Sequence, residues 1–217
     1  MKLTLKPHQN IFFTSDTHYH HKNICRGVSD WGGSDKCRDF DTLDQMNNAI
    51  VTNINAMVTS NDYLIHLGDW SFGGFEKIQE FRDRIYCKNI ILVLGNHDHH
   101  ITRNKDNIQD LFHSVHSYLS LDLRLQQLDG TVKKHKFVLL HFPIMSWDEM
   151  GKGRIHLHGH VHLSQEQVMS QKGKTLDVGM DGNGLFPYSL SDIMHVMQNR
   201  KVEPPINFED HHIDGFI

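Results

Sequence analysis

The chain has 217 residues, 38% of them hydrophobic and 22% charged, a composition that suits a globular protein with one core rather than a disordered or membrane-embedded one. Its 22 Lys and Arg against 26 Asp and Glu give a formal net charge of −4, so the balance offers no chain-wide basic surface for duplex nucleic acid. Three cysteines, Cys25, Cys37 and Cys87, lack CxxC spacing and fit reduced thiols better than a disulfide framework or a zinc knuckle, whereas 19 histidines are an excess that needs explaining.

Met1 to Asn10 hold no signal-like apolar run, and no stretch approaches the roughly 20 apolar residues of a membrane span, which predicts a cytoplasmic protein. Asn10 to Thr14 reads as a short strand, followed at once by Ser15-Asp16-Thr17-His18. On an extended segment the i, i+2 spacing puts Asp16 and His18 on one side, where a carboxylate and an imidazole suit a borderline divalent metal. His20 and His21 read as exposed loop histidines, and Gly27 to Asp35 as further loop. From Phe40 the apolar residues fall at 40, 43, 46, 50, 54 and 57, one face of a helix. Tyr63 to Leu67 reads as a buried strand ending in Gly68-Asp69, and Phe75, Ile78, Phe81 and Ile85 mark a second amphipathic helix.

Ile90 to Leu94 is then a strand apolar on both faces, and Gly95, read as the site of a sharp turn, presents Asn96, His97 and Asp98 beyond it. Ile101 to Leu111 reads as weak helix or loop. Leu119, Leu121, Leu123 and Leu125 alternate with polar residues, Asp129-Gly130 supplies a turn, and Val132 to Leu140 returns as an antiparallel partner that ends at His141. Arg154 to His158 forms another strand, ending in Gly159-His160-Val161-His162. His156 and His158 share its alternation, so periodicity alone does not single out ligands, and only the position after Gly159 does. Thr175 to Met180 reads as a last strand, Leu190 to Met197 as a last helix, and residues 200–217 as a surface arm after a domain of residues 1–199. Strands alternating with helices predict an α/β fold.

Five polar groups thus stand at apparent strand ends, where α/β proteins place ligands. Their order, Asp-x-His, Gly-Asp, Gly-Asn-His-Asp, His, Gly-His-x-His, resembles the calcineurin-like metallophosphoesterase superfamily, in particular its compact single-domain bacterial and phage members. The resemblance implies two mixed β-sheets packed as a sandwich and flanked by helices. It also implies two divalent metal ions, Mn first, with Fe, Zn or Ni also suited. Asp16, His18, Asp69 and His162 would hold one ion; Asp69 would bridge to the other, held also by Asn96, His141 and His160. His97 would protonate the leaving group and Asp98 would orient it.

The implied activity is phosphoester hydrolysis by metal-activated water, on a nucleotide-like or other small phosphodiester. A nuclease acting on single strands is the runner-up, and a non-catalytic metal-bound scaffold is the alternative of another class. Where the superfamily's Ser/Thr protein phosphatases carry Asp, Arg-Gly and Glu, this chain has Phe72, Gly73-Gly74 and Asp98, which argues against a phosphoprotein substrate. Lys22, Arg26, Lys152 and Arg154 lie near the motif loops in sequence and are candidates to meet phosphate oxygens. No membrane partner and no duplex nucleic acid are expected.

Overall fold

The computed structural model describes residues 1–31 and 37–203. The expected arm therefore lies outside the described residues from Pro204 on, with the Asp210-His211-His212 cluster. Arg200 itself is tied to the body, its guanidinium donating to the carbonyls of Val168 and Thr175.

Among the described residues, ten strands form two five-stranded sheets, both mixed. In one, β2 (Ile11–Thr14), β3 (Tyr63–His66), β4 (Asn89–Val93) and β5 (Ser114–His116) run parallel, and the two-residue β10 (Tyr188–Ser189) lies antiparallel on β2. In the other, β6 (Leu119–Gln126) and β7 (Val132–Leu139) form the expected hairpin; β1 (Lys2–Leu5) joins β6 in parallel, and β8 (Ile155–His158) and β9 (Thr175–Asp177) extend from β7 in parallel.

The period of two in the strands decides which side chains go where. Ile11, Phe13, Ile65, Ile91 and Val93 meet Leu121, Leu123, Phe137 and Leu157 in a core between the sheets, where the Phe13 and Phe137 rings lie 5.5 Å apart. The intervening Phe12, Leu64, Ile90 and Leu92 face the other way, onto α1 (Leu43–Met57) and α2 (Phe75–Arg84), through Met46, Ile50, Ile54, Ile78 and Phe81. That is why β4 is apolar on both faces. Helix α1 starts at Leu43 rather than Phe40 because Thr42 and Gln45 form a reciprocal capping box that satisfies the first free amides. The last strand ends at Asp177, short of the expected Met180.

The chain also folds where no element was anticipated. β5 and β10 are too short to carry a period, β1 alternates over four residues, with Leu3 and Leu5 buried, and α4 (Gln165–Ser170) follows the Gly-His-x-His loop under a Ser164–Gln167 capping box. A short α3 (His99–Thr102) follows β4; α5 (Leu190–Gln198) is the expected last helix and closes the inter-sheet core with Ile193 and Met197. Among the described residues, no helix is long and apolar enough to cross a membrane.

Candidate metal centre

The C-terminal ends of β2, β3, β4, β7 and β8 converge, and the seven proposed ligands converge with them. Asp69 Oδ2 lies 3.6 Å from His18 Nε2 and 3.5 Å from His141 Nε2, so one oxygen faces both halves of the cluster. On one side, Asp16 Oδ1 is 3.8 Å from His18 Nε2 and 3.7 Å from His162 Nε2, and those two imidazole nitrogens are 3.0 Å apart. On the other side, Asn96 Oδ1 is 2.9 Å from both His141 Nε2 and His160 Nδ1. Asp16, His18 and His162 form one compact group able to hold a cation, and Asp16, Asp69 and His141 another.

Backbone conformation aims these side chains, by a route the spacing did not anticipate. Asp16, His18, Asp69, His160 and His162 all have positive φ, between 45° and 73°, so neither pair lies on an extended segment. Non-glycine residues avoid this region at a cost of order 1 kcal/mol each, and they cluster where function requires it. The glycines serve mainly to let loops approach. Gly95 has an ordinary φ, but a Cβ there would sit 2.5 Å from the Asp69 amide nitrogen and would strike its carboxylate; close approach, rather than a sharp turn, excludes a side chain. A Cβ on Gly159 would likewise strike the Asp16 carboxylate and the Ser15 hydroxyl.

Hydrogen bonds set the free lone pairs. His141 Nδ1–H donates to the Leu67 carbonyl at 2.7 Å, and His162 Nδ1–H donates to Asp181 Oδ2 at 2.6 Å, leaving each Nε2 to face the cluster. Asp69 Oδ1 accepts the His97 amide at 2.8 Å, and Asp16 Oδ2 accepts the His160 amide at 2.9 Å. Asp16 Oδ1 and His18 Nδ1 are buried with no hydrogen-bond partner.

Burial pushes the Asp16 carboxyl up to about 6, against the pull of His162. Burial, followed by the neighbouring His162, holds His18 well below the usual imidazole range, in its neutral form. Burial also opposes ionisation of Asp69, but the hydrogen bond and charge of His141 outweigh it and keep that carboxyl low. A buried carboxylate oxygen without a donor, between the imidazoles of His18 and His162, is a set that a divalent cation fits. The proposed ligands are nitrogen and oxygen atoms without a thiolate, which suits Mn, Fe, Zn or Ni.

Two participants were absent from the sequence reading. Arg38, with its side chain 5% exposed, donates to both Asp181 oxygens at 2.7 and 3.1 Å and to the carbonyls of Asp16 and Thr17 at 2.6 and 2.8 Å. Asp181 in turn holds His162. It stands in a Gly-Met-Asp-Gly turn just past β9, a strand-end position that the criterion used for the other groups would have caught.

Other assignments change. Asp98 makes no hydrogen bond to the His97 ring among the described residues; its carboxylate accepts the backbone amides of Asp69, Trp70 and Gly95 at 2.8–2.9 Å and staples the Gly68 and Gly95 loops together. Arg154 is not at the site: it precedes β8, whereas His160 and His162 follow it, and its guanidinium is tied to Asp122, Asp148 and Glu149. Lys152 lines the same remote pocket. Lys22 pairs with Asp30 at 3.1 Å and Arg26 with Asp39, both on the surface. His156 and His158 are buried core residues whose Nδ1 atoms lie against the carbonyls of Val138 and Gly159. His21 is half-buried rather than exposed, stacked flat on Phe72.

A cavity of about 740 Å³ opens over the cluster, lined by Asp69, Asn96, His97, His160 and His162 on its floor and by Trp31, Cys37 and Leu163 on its outer wall. The His97 ring is exposed here, packed 4.9 Å from Phe72 and 5.7 Å from His18.

No family model matches the chain. It is similar to an uncharacterized protein, MJ1445, of Methanocaldococcus jannaschii, with 26% identity over 92% of this chain and 97% of that one. It is also similar to the Gene 66 protein of Mycobacterium phage L5, with 26% identity over 81% of this chain and 88% of that one. Among solved structures, a protein of unknown function, AQ665 from Aquifex aeolicus, superposes with a TM-score of 0.59 at 21% identity, covering 87% of this chain and 99% of that one, a likeness of fold.

Proposed function

We propose that the protein is a dinuclear metal-dependent phosphoester hydrolase with a calcineurin-like fold, acting as a phosphodiesterase on a nucleotide-like or other small diester. The observation that carries the reading is the position of Asp69 Oδ2, which faces His18 and His141 at nearly equal distance and so belongs to both halves of a seven-residue cluster. Asp16, His18, Asp69 and His162 would hold one divalent ion, and Asp69, Asn96, His141 and His160 the other. When bound, such a pair polarises a phosphoryl oxygen and supplies a nucleophilic water at neutral pH.

The remaining chemistry belongs to the chain. His97 lines the cavity beside the ligand cluster without belonging to it, and would donate a proton to the departing oxygen. Its backbone amide is pinned to Asp69 Oδ1, and Phe72 and His18 flank its ring, so the acid is fixed relative to the ligands. Arg38 is the one Lys or Arg lining the cavity among the described residues, and it is committed to Asp181 and two carbonyls. A site without a free cation has little with which to reward the second charge of a monoester, which supports a diester substrate.

Turnover of bis-p-nitrophenyl phosphate by the protein loaded with Mn²⁺ tests the reading. Hydrolysis that ceases on chelation and returns with metal supports it. Two bound metals with no turnover of any diester would favour the scaffold instead.

A further inference from the structure

Four rings form a row beside the cavity; Trp31, His21 and His97 line it, and Phe72 joins His21 to His97. Trp31 at the rim meets His21 edge-on, with centroids 5.7 Å apart and planes at 87°. His21 lies flat on Phe72, 3.7 Å apart and within 7° of parallel. Phe72 packs 4.9 Å from His97. The row runs from solvent to the group proposed to protonate the leaving oxygen.

Trp31 is 57% exposed, with its indole on the same cavity as His97. Its backbone is held in place: the Trp31 amide donates to Ser29 Oγ at 3.0 Å, and Ser29 Oγ donates to the Asn23 carbonyl at 2.8 Å. A single exposed indole is ordinary, but one that begins a chain of ring contacts ending at the proposed acid is placed to receive something. Charge does not do the recognising here. Lys22 and Arg26 are paired with Asp30 and Asp39, and Arg38 with Asp181. What this wall offers is ring faces and edges, which attract planar groups irrespective of sequence or charge.

We infer that the leaving group of the diester carries a planar ring, a nucleobase by chemical class, which seats on Trp31 and His21 while its alcohol oxygen faces His97. The inference rests on the proposed hydrolase and makes Trp31 a specificity-determining residue. Side matters: a ring on the retained half of the diester would lie away from His97 and gain nothing from this wall.

The probes are thymidine 5′-methylphosphate and its abasic counterpart, the same sugar methylphosphate without the base. Each competes against bis-p-nitrophenyl phosphate with Mn²⁺-loaded protein, and products are identified where the probe is itself cleaved. The thymidine diester should inhibit about 10- to 100-fold more strongly than the abasic one, the factor expected of one base–aromatic stack. Trp31→Ala should bring that ratio near unity, and Trp31→Phe should retain most of it. Any cleavage should release thymidine and methyl phosphate. Equal inhibition by the two probes in the wild type, a ratio unaltered in Trp31→Ala, or release of methanol with thymidylate retained would overturn the inference while leaving the hydrolase standing. Absence of bis-p-nitrophenyl phosphate turnover would remove the hydrolase itself. A thymidine tetranucleotide binding more tightly than the single diester would identify a single strand as the source of the base, and equal binding a small nucleotide.

Discussion

Replacing Asp181 should weaken one metal position and largely spare the other. Asp181 accepts the His162 Nδ1 proton at 2.6 Å and is held bidentately by Arg38, so it fixes both the tautomer and the aim of one ligand. His141, the corresponding imidazole of the second set, is fixed instead by the Leu67 carbonyl at 2.7 Å. Losing an outer partner of a ligating histidine costs about 10- to 100-fold in metal affinity. Asp181→Ala should reach that range for the Asp16–His18–Asp69–His162 set. Asp181→Asn still accepts the proton but brings no charge, and should lose about tenfold. Removing the carboxylate also strands a guanidinium whose side chain is 5% exposed. Breaking a fully buried pair costs about 3–5 kcal/mol, and because the Asp181 side chain is 22% exposed, about 2–3 kcal/mol is the appropriate figure here. Titrating chelator-stripped protein with Mn²⁺, by calorimetry and by electron paramagnetic resonance, resolves the two binding steps, and denaturant melts give the stability. The reasoning fails if both steps weaken equally or if neither moves.

Other perturbations separate the remaining roles. Asp69→Ala should lose metal and activity together, whereas His97→Ala should keep both metals and lose roughly 10²- to 10⁴-fold in turnover on poor leaving groups, with a smaller loss for p-nitrophenolate; metal stoichiometry measured beside turnover decides this. Asp98→Asn should act through the backbone: with three amides sharing a neutral acceptor, stability should fall by about 1–3 kcal/mol, and the selective dependence on leaving group seen for His97→Ala should not appear. Asp177 is buried, with one oxygen unpartnered, and burial pushes its carboxyl up to about 6 from an ordinary value of 3.8. Its folded form therefore holds a proton that the unfolded chain has released, so this group makes metal-free protein less stable as pH rises from about 4 to about 6. Asp177→Asn should gain on the wild type by up to about 3 kcal/mol across that window. Melts of chelated protein at both ends of the range check it, and a constant difference would contradict it.

The seven clustered residues were legible because each stands at or just past an apolar run, and four of them, Asp69, Asn96, His160 and His162, follow a glycine within three residues, a pattern that needs no partner to be seen. Arg38 was not, because it sits in a polar loop and its value lies in meeting Asp181, 143 positions away. Arg154 was misplaced for a different reason: nearness in sequence to His160 ignores strand direction, and a residue that enters β8 is separated by the length of the strand from those that leave it. Asp98 shows the limit of role transfer, since the motif assigned it to the His97 ring, whereas its oxygens serve the backbone amides of Asp69, Trp70 and Gly95. The strands β5 and β10 carry too few residues for alternation to register, whereas β1 does alternate, with Leu3 and Leu5 buried between exposed Lys2 and Thr4, a signal that was there to be read.

The ligands are shared between the sheets. Asp16, His18, Asp69 and Asn96 leave one sheet, while His141, His160 and His162 leave the other, with Gly159 pressed against Ser15 and Asp16 where the two meet. The cluster is thus a clasp at one end of the sandwich. Were cations fastened there, the layers would be cross-linked by coordination as well as by their apolar interface. Cations held there would brace the end of the sandwich at which the candidate ligands meet, and removing them would loosen that end first.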